Sequence, residues 1–148
     1  MPVEKIVRND NQIWGLWKIT EDETVLRNNL PCVEEVSLDI TNTQKRLEWL
    51  AVRVLLQQLT HALQLPYLGL QKDEYGKPSL KASLHKISLS HSYPYVAVII
   101  DATQEAGIDL EQPKEKLLRV APRILSRPEL EDAGKDLLKH AVYWCAKE

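Results

Sequence analysis

The sequence predicts an α+β fold, antiparallel strands packed against a long helix, on three observations. One amphipathic helical segment dominates the first half, β-type segments with short connections follow it, and helical segments close the chain. Gln12 to Ile19, QIWGLWKI, reads as a buried strand. Thr20-Glu21-Asp22-Glu23 has the capping-box pattern that opens a helix, here a short one reaching Asn29. Thr43 to Leu63 is the longest helical segment, with Leu47, Leu50, Ala51, Val54 and Leu55 on one face and Pro66 as its stop. Lys72 to Pro78, KDEYGKP, carries turn residues, with Gly76 at the positive-φ position. Ile87–Ser90, Tyr95–Asp101 and Gly107–Leu110 read as strands. Pro113 begins a further helix to Leu125, and Ser126 with Glu129 caps a last helix that runs to the end of the sequence.

Composition narrows the function classes. At 148 residues the chain can bury a real core, and 44% apolar with 27% charged residues is an ordinary globular balance. A formal charge of −2 supplies no field to collect nucleic acid or anionic lipid, so neither is an expected partner. Cys32 and Cys145 form neither a disulfide framework nor a zinc-type pair, which fits a reducing compartment. The start, MPVEKIVRNDNQ, lacks the regions of a signal peptide, and no apolar run is long enough for a bilayer. The expected location is cytoplasmic.

Five constellations could carry chemistry. In Gly107-Ile108-Asp109-Leu110-Glu111, strand alternation puts Asp109 and Glu111 on one face, where a hard divalent cation would relieve their repulsion. By spacing alone, two solvated acids at a strand end are the commoner reading. On the last helix Leu137, Ala141 and Trp144 share a stripe that continues to Glu148. An acid aimed inward there would complete a Mg²⁺ site; at a frayed end it would not. Arg46 and Arg53 lie one heptad apart on the long helix and could clamp phosphate, or could simply pair with acids such as Glu48. His91, between Ser90 and Ser92 at a strand end, is placed to donate to an anion or to serve as a structural hydrogen bonder. Lys77 leaves the Tyr75-Gly76 turn as a cation, and alone reads as a solvated turn lysine. No acid stands at a spacing that would make His91 part of a hydrolytic triad, and His61, His85 and His140 form no metal pattern.

Taken in order, the two arginines, EYGKP, ISLSHS, GIDLE and WCAKE resemble the signature of the 4′-phosphopantetheinyl transferase superfamily. The similarity is to its two-lobed, single-chain branch, which activates fatty-acid, polyketide and nonribosomal-peptide synthases. It covers Arg46 to Glu148. The resemblance implies a first α+β lobe over residues 1–106 and the start of a second, pseudo-symmetric lobe over residues 107–148. It implies coenzyme A as substrate, Mg²⁺ as cofactor, and an acyl or peptidyl carrier protein whose serine accepts the phosphopantetheine group. Asp109, Glu111 and Glu148 match the metal-binding positions, and Glu148 also matches the general base. Lys77 and His91 match positions at the nucleotide end of coenzyme A, and Arg53, with Arg46, matches the region that binds its 3′-phosphate. Lys147 matches the lysine before the last glutamate, with no role assigned. Against that pattern the sequence stops inside its last motif, so impaired turnover is expected. A first-lobe face left uncovered would favour a homodimer. The alternative is a non-catalytic module that keeps the first-lobe fold with weak coenzyme A binding. A Mg²⁺-dependent hydrolase of another phosphate ester would use the carboxylates but leaves GKP and SLSHS unexplained.

Overall fold

The structure is a computed structural model that describes residues 3–148. The chain is α+β and falls into two compact units, one ending at Ile108 and one running from Asp109 to Glu148.

The first unit contains, in chain order, β1 (Val3–Arg8), β2 (Gln12–Lys18), α1 (Glu23–Asn28), α2 (Thr43–Ala62), β3 (Leu70–Lys72), β4 (Pro78–Leu80), β5 (Lys86–Ser92) and β6 (Tyr95–Asp101). Four strands form an antiparallel sheet in the order β1-β2-β6-β5, and β3 with β4 makes a separate hairpin. α2 starts because the Asn42 side chain accepts the Lys45 N–H, satisfying an otherwise orphan donor. It ends at Leu63, before Pro66, where Gln64 turns to φ 58°. Its stripe of Leu47, Leu50, Ala51, Val54 and Leu55, widened by Leu56 and Leu59, is buried in one core with Ile13 and Trp17 of β2 and Val96, Val98 and Ile100 of β6. Gly15 sits between those two β2 positions, where an added Cβ would stand 3.0 Å from Leu55 Cδ1. A side chain there would crowd Leu55, so the glycine suits the close approach of α2 to β2.

Three strands add to those expected from sequence. β1 pairs with β2, from Val3 opposite Trp17 to Arg8 opposite Ile13. β3 and β4 flank the expected turn, with Gly76 at φ 82°. α1 opens two residues later than its capping pattern suggests. Asp22 accepts the Val25 N–H and is the cap, while Glu21 takes the Thr20 N–H instead. Gly107–Leu110 is not a strand. It enters no ladder: the Ile108 N–H goes to the Ser88 side chain of the edge strand β5 rather than to a backbone carbonyl.

The second unit holds α3 (Lys116–Val120), a 3₁₀ turn (Ala121–Arg123), α4 (Arg127–Ala133) and α5 (Leu137–Lys147). The single helix expected from Pro113 to Leu125 is shortened at both ends. Pro122 has no N–H to give and its ring would clash with the carbonyl one turn back, so the helix tightens and stops. The Ser126–Glu129 capping box does open α4, with the Ser126 N–H 2.7 Å from Glu129 Oε2. That helix does not reach the chain end: Gly134, at φ 52°, breaks it, and Asp136 restarts α5 by accepting the Leu138 and Lys139 N–H groups. Leu117, Ala121, Leu125, Ala133, His140 and Ala141 are buried in this unit. His140 Nε2 donates to Gly134 O at 2.9 Å, a buried polar contact that holds the break between α4 and α5. Among the described residues no helix is long and apolar enough to cross a membrane.

Candidate functional site

α2 leaves one flank outside the core, and along that flank the first unit has a groove of about 600 Å³. Lys45, Glu48, Trp49 and Arg53 line it from α2, Lys72 from β3 and His91 from β5. The volume is that of a small-molecule site.

Arg53 is held on three sides. Its guanidinium lies over the Trp49 ring, 3.5 Å from the centroid, Nη1 donates to Trp49 O at 3.3 Å, and Nε stands 3.4 Å from Glu34 Oε2. Glu34 is itself fixed, accepting the Tyr67 O–H at 2.6 Å and the Leu70 N–H at 3.1 Å on its other oxygen. Burial pulls the Arg53 guanidinium below its ordinary range, and the neighbouring Glu34 opposes that pull. Burial, then the bond to Glu34, pushes the Tyr67 phenol well above its ordinary value, so Tyr67 remains a donor. The result is an oriented cation with little freedom to lose on meeting an anion.

His91 reaches the groove from β5. Its Nδ1 stands 3.0 Å from Glu48 Oε2, and the other Glu48 oxygen accepts the Tyr93 N–H at 2.9 Å. The Glu48 residue is 8% exposed, and the His91 side chain is half-exposed.

The other two expected groove cations stand elsewhere in this unit. Arg46 forks onto Glu23 Oε2, at 2.9 Å from Nη2 and 3.2 Å from Nε, and also donates to Ile40 O. It ties α2 to α1, and together with Arg27 it holds the Glu23 carboxyl below its usual range. Lys77 Nζ donates to Glu105 Oε2 at 2.8 Å, with both side chains well exposed. That bond raises the lysine above its ordinary value and lowers the glutamate. The turn residues on either side, Gly76 and Pro78, do line the groove. Neither arginine pairs with Glu48: Arg46 takes Glu23, Arg53 takes Glu34, and Glu48 serves His91.

In the second unit Asp109 and Glu111 are both half-buried. The Glu111 carboxylate accepts the Gln112 N–H at 3.0 Å and lies 3.5 Å from Lys116 Nζ. The Cys145 thiol of α5 bonds to Asp109, and its pKa is pushed up to about 11, by burial first, then by that bond and by the charges of Asp109 and Glu111. One thiol therefore senses both carboxylates, which makes this a locally electronegative place furnished with oxygen donors. Glu148, the cap of α5, is exposed, and Lys147 beside it pairs with Glu129 at 3.0 Å. Among the described residues no group of three or more His, Cys, Asp or Glu side chains is gathered as a metal cage.

No family model and no curated protein matches the chain.

The structure brings Arg53 and His91 to one groove and adds Lys45, Glu48, Trp49 and Lys72 to it, with Glu34 behind Arg53 as its partner. Glu48 was visible in principle. Val52, Leu55 and Leu59 recur from it at helical spacing, and all four are buried. A carboxylate on an apolar stripe demands a partner. Glu34 gave no such signal, since it lies in an irregular stretch and meets Arg53 only through the fold.

Proposed function

We propose that the chain is built to transfer the 4′-phosphopantetheine group of coenzyme A to a serine of an acyl or peptidyl carrier protein. The first unit then has the first-lobe fold of that superfamily. The observation that carries the reading is the groove: a pre-oriented arginine, two lysines and a histidine around a tryptophan ring, of a size to take a nucleotide. Phosphate oxygens match the Arg53 fork, and Lys45 and Lys72 add charge without directional demand. The order of the GKP, SLSHS, GIDLE and WCAKE segments supports the same reading.

The carboxylates of the second unit fit Mg²⁺ in donor type, since hard cations take oxygen ligands and Asp109 and Glu111 are both half-buried. Asp109 and Glu111 would hold the ion, with Glu148 as the third carboxylate. When bound, Mg²⁺ neutralises charge on the pyrophosphate oxygens. Arg53, Lys45, Lys72 and His91 hold the nucleotide end. The Glu148 carboxylate takes the proton of the carrier serine as its oxygen bonds to the phosphorus nearer pantetheine. The bond from that phosphorus to the bridging oxygen breaks, and adenosine 3′,5′-bisphosphate leaves with the electron pair. Positioning and charge neutralisation supply most of the acceleration in such a transfer.

Calorimetry with coenzyme A and with dephospho-coenzyme A tests the groove. Loss of the 3′-phosphate removes a charge-assisted bond to arginine worth ~1.5–3 kcal/mol, so affinity falls by ~10- to 100-fold. Equal affinity for the two would refute the assignment of the groove to the nucleotide end.

A further inference from the structure

We infer that Glu48 is a positioning residue that fixes the proton on the His91 ring, so that an anion enters the groove together with a proton. Besides its partner Glu48, the charged groups that line the groove with that ring are Lys45 and Arg53 from α2 and Lys72 from β3. Glu34 reaches them only through Arg53.

An ionised carboxylate can only accept, so the 3.0 Å contact to Glu48 Oε2 places a hydrogen on His91 Nδ1. Glu48 has little freedom to turn away. It is buried, and its other oxygen is committed to the Tyr93 N–H at 2.9 Å. A neutral ring protonated at Nδ1 carries a lone pair at Nε2. That nitrogen is the remaining polar atom of a half-exposed side chain lining the groove. A lone pair repels a phosphate oxygen, whereas an N–H attracts it. On anion entry the ring therefore takes one proton from solvent at Nε2, and the Glu48 carboxylate stabilises the imidazolium from the other side.

Glu48→Gln reverses the pattern with nearly the same shape. The amide oxygen must serve the Tyr93 N–H, so the amide NH₂ faces His91 Nδ1 and donates to it. The neutral ring then carries its hydrogen on Nε2 and needs no proton to meet an anion.

Two measurements on the full chain test this, the second of which rests on the coenzyme A reading and the first of which does not. Imidazole ¹⁵N spectra at pH 8 without ligand, with the His91 signal identified by its loss in His91→Gln, should show Nδ1–H in the native chain and Nε2–H in Glu48→Gln. A native ring protonated at Nε2 overturns the inference. Calorimetry with coenzyme A at pH 8, in buffers of different ionisation heat, should show greater proton uptake by the native chain than by Glu48→Gln. Equal uptake by both overturns the coupling. Should Glu48→Gln fail to fold, His91→Gln decides the point, because uptake that survives loss of the ring overturns the coupling. A native chain with the expected ring spectrum and no heat from coenzyme A would remove the coenzyme A reading and leave the role of Glu48 standing.

Discussion

Arg53 carries contacts that no lysine reproduces: a stack on Trp49 and an Nε 3.4 Å from a Glu34 carboxylate oxygen. Arg53→Lys keeps the charge and loses the planar fork and the pre-orientation. Coenzyme A affinity should fall by ~10-fold or more, read by calorimetry, with the circular dichroism spectrum unchanged. An unchanged affinity would show that Arg53 serves only to anchor Glu34. Asp101, at the end of β6, offers a residue-scale prediction about acid. It accepts the Thr103 and Gln104 N–H groups and the Gln12 side chain, and the first two of these do most to lower its pKa. A carboxyl depressed in the folded state stabilises above its unfolded value, and the benefit is lost as pH falls through the folded one. The native chain should therefore lose stability below about pH 4, and Asp101→Asn should flatten that limb in denaturant titrations at pH 3 and 6.

At the scale of elements, α2 joins the core to the groove, with one side under the sheet and the other presenting Lys45, Trp49 and Arg53. Leu55→Ala opens a cavity between the helix and β2 and should cost ~2–5 kcal/mol in chemical denaturation. Gly15→Ala fails in the opposite sense, by crowding the same leucine, and should cost ~1–3 kcal/mol. A Gly15→Ala chain as stable as the native one would mean that α2 shifts away from β2 without penalty. The long helix, the Gly76 turn and the Tyr95–Asp101 strand were legible because each repeats a local signal over many residues or carries a decisive turn glycine. β3 and β4 span three residues each, too few for any period to show, and β1 interrupts its alternation with Glu4 and Lys5. Gly107–Leu110 failed as a strand for a tertiary reason, because its Ile108 N–H is taken by the Ser88 side chain of β5 and not by a ladder carbonyl. The break at Gly134 was readable and was passed over, since a single glycine inside a helical pattern is often tolerated.

For the whole molecule, the candidate residues of the first unit and those of the second were legible to different degrees. Asp109 and Glu111 stood out through spacing and share influence on one thiol. Arg53 and His91 stood out on a helix flank and at a strand end, yet their pairing with Glu34 and Glu48 emerges only from packing. His91 with Glu48 joins β5 to α2, and Arg53 with Glu34 joins α2 to the stretch before it. Arg46 and Lys77 show the converse, two cations of the right kind whose partners in this structure are Glu23 and Glu105 rather than the groove. In the proposed function, nucleotide recognition belongs to the first unit and metal and proton handling to the second. The two should therefore separate on mutation. Arg53→Ala should weaken coenzyme A binding, whereas Asp109→Ala should remove transfer while leaving the binding of adenosine 3′,5′-bisphosphate within about twofold, read by calorimetry. Loss of that binding in Asp109→Ala would tie the carboxylates to nucleotide recognition instead. The most direct measurement of the central claim is the mass of an apo acyl carrier protein after incubation with this chain, coenzyme A and Mg²⁺. The account predicts a gain of one phosphopantetheine on the carrier serine, abolished by Asp109→Ala and by chelation of Mg²⁺; a carrier whose mass never changes would contradict it.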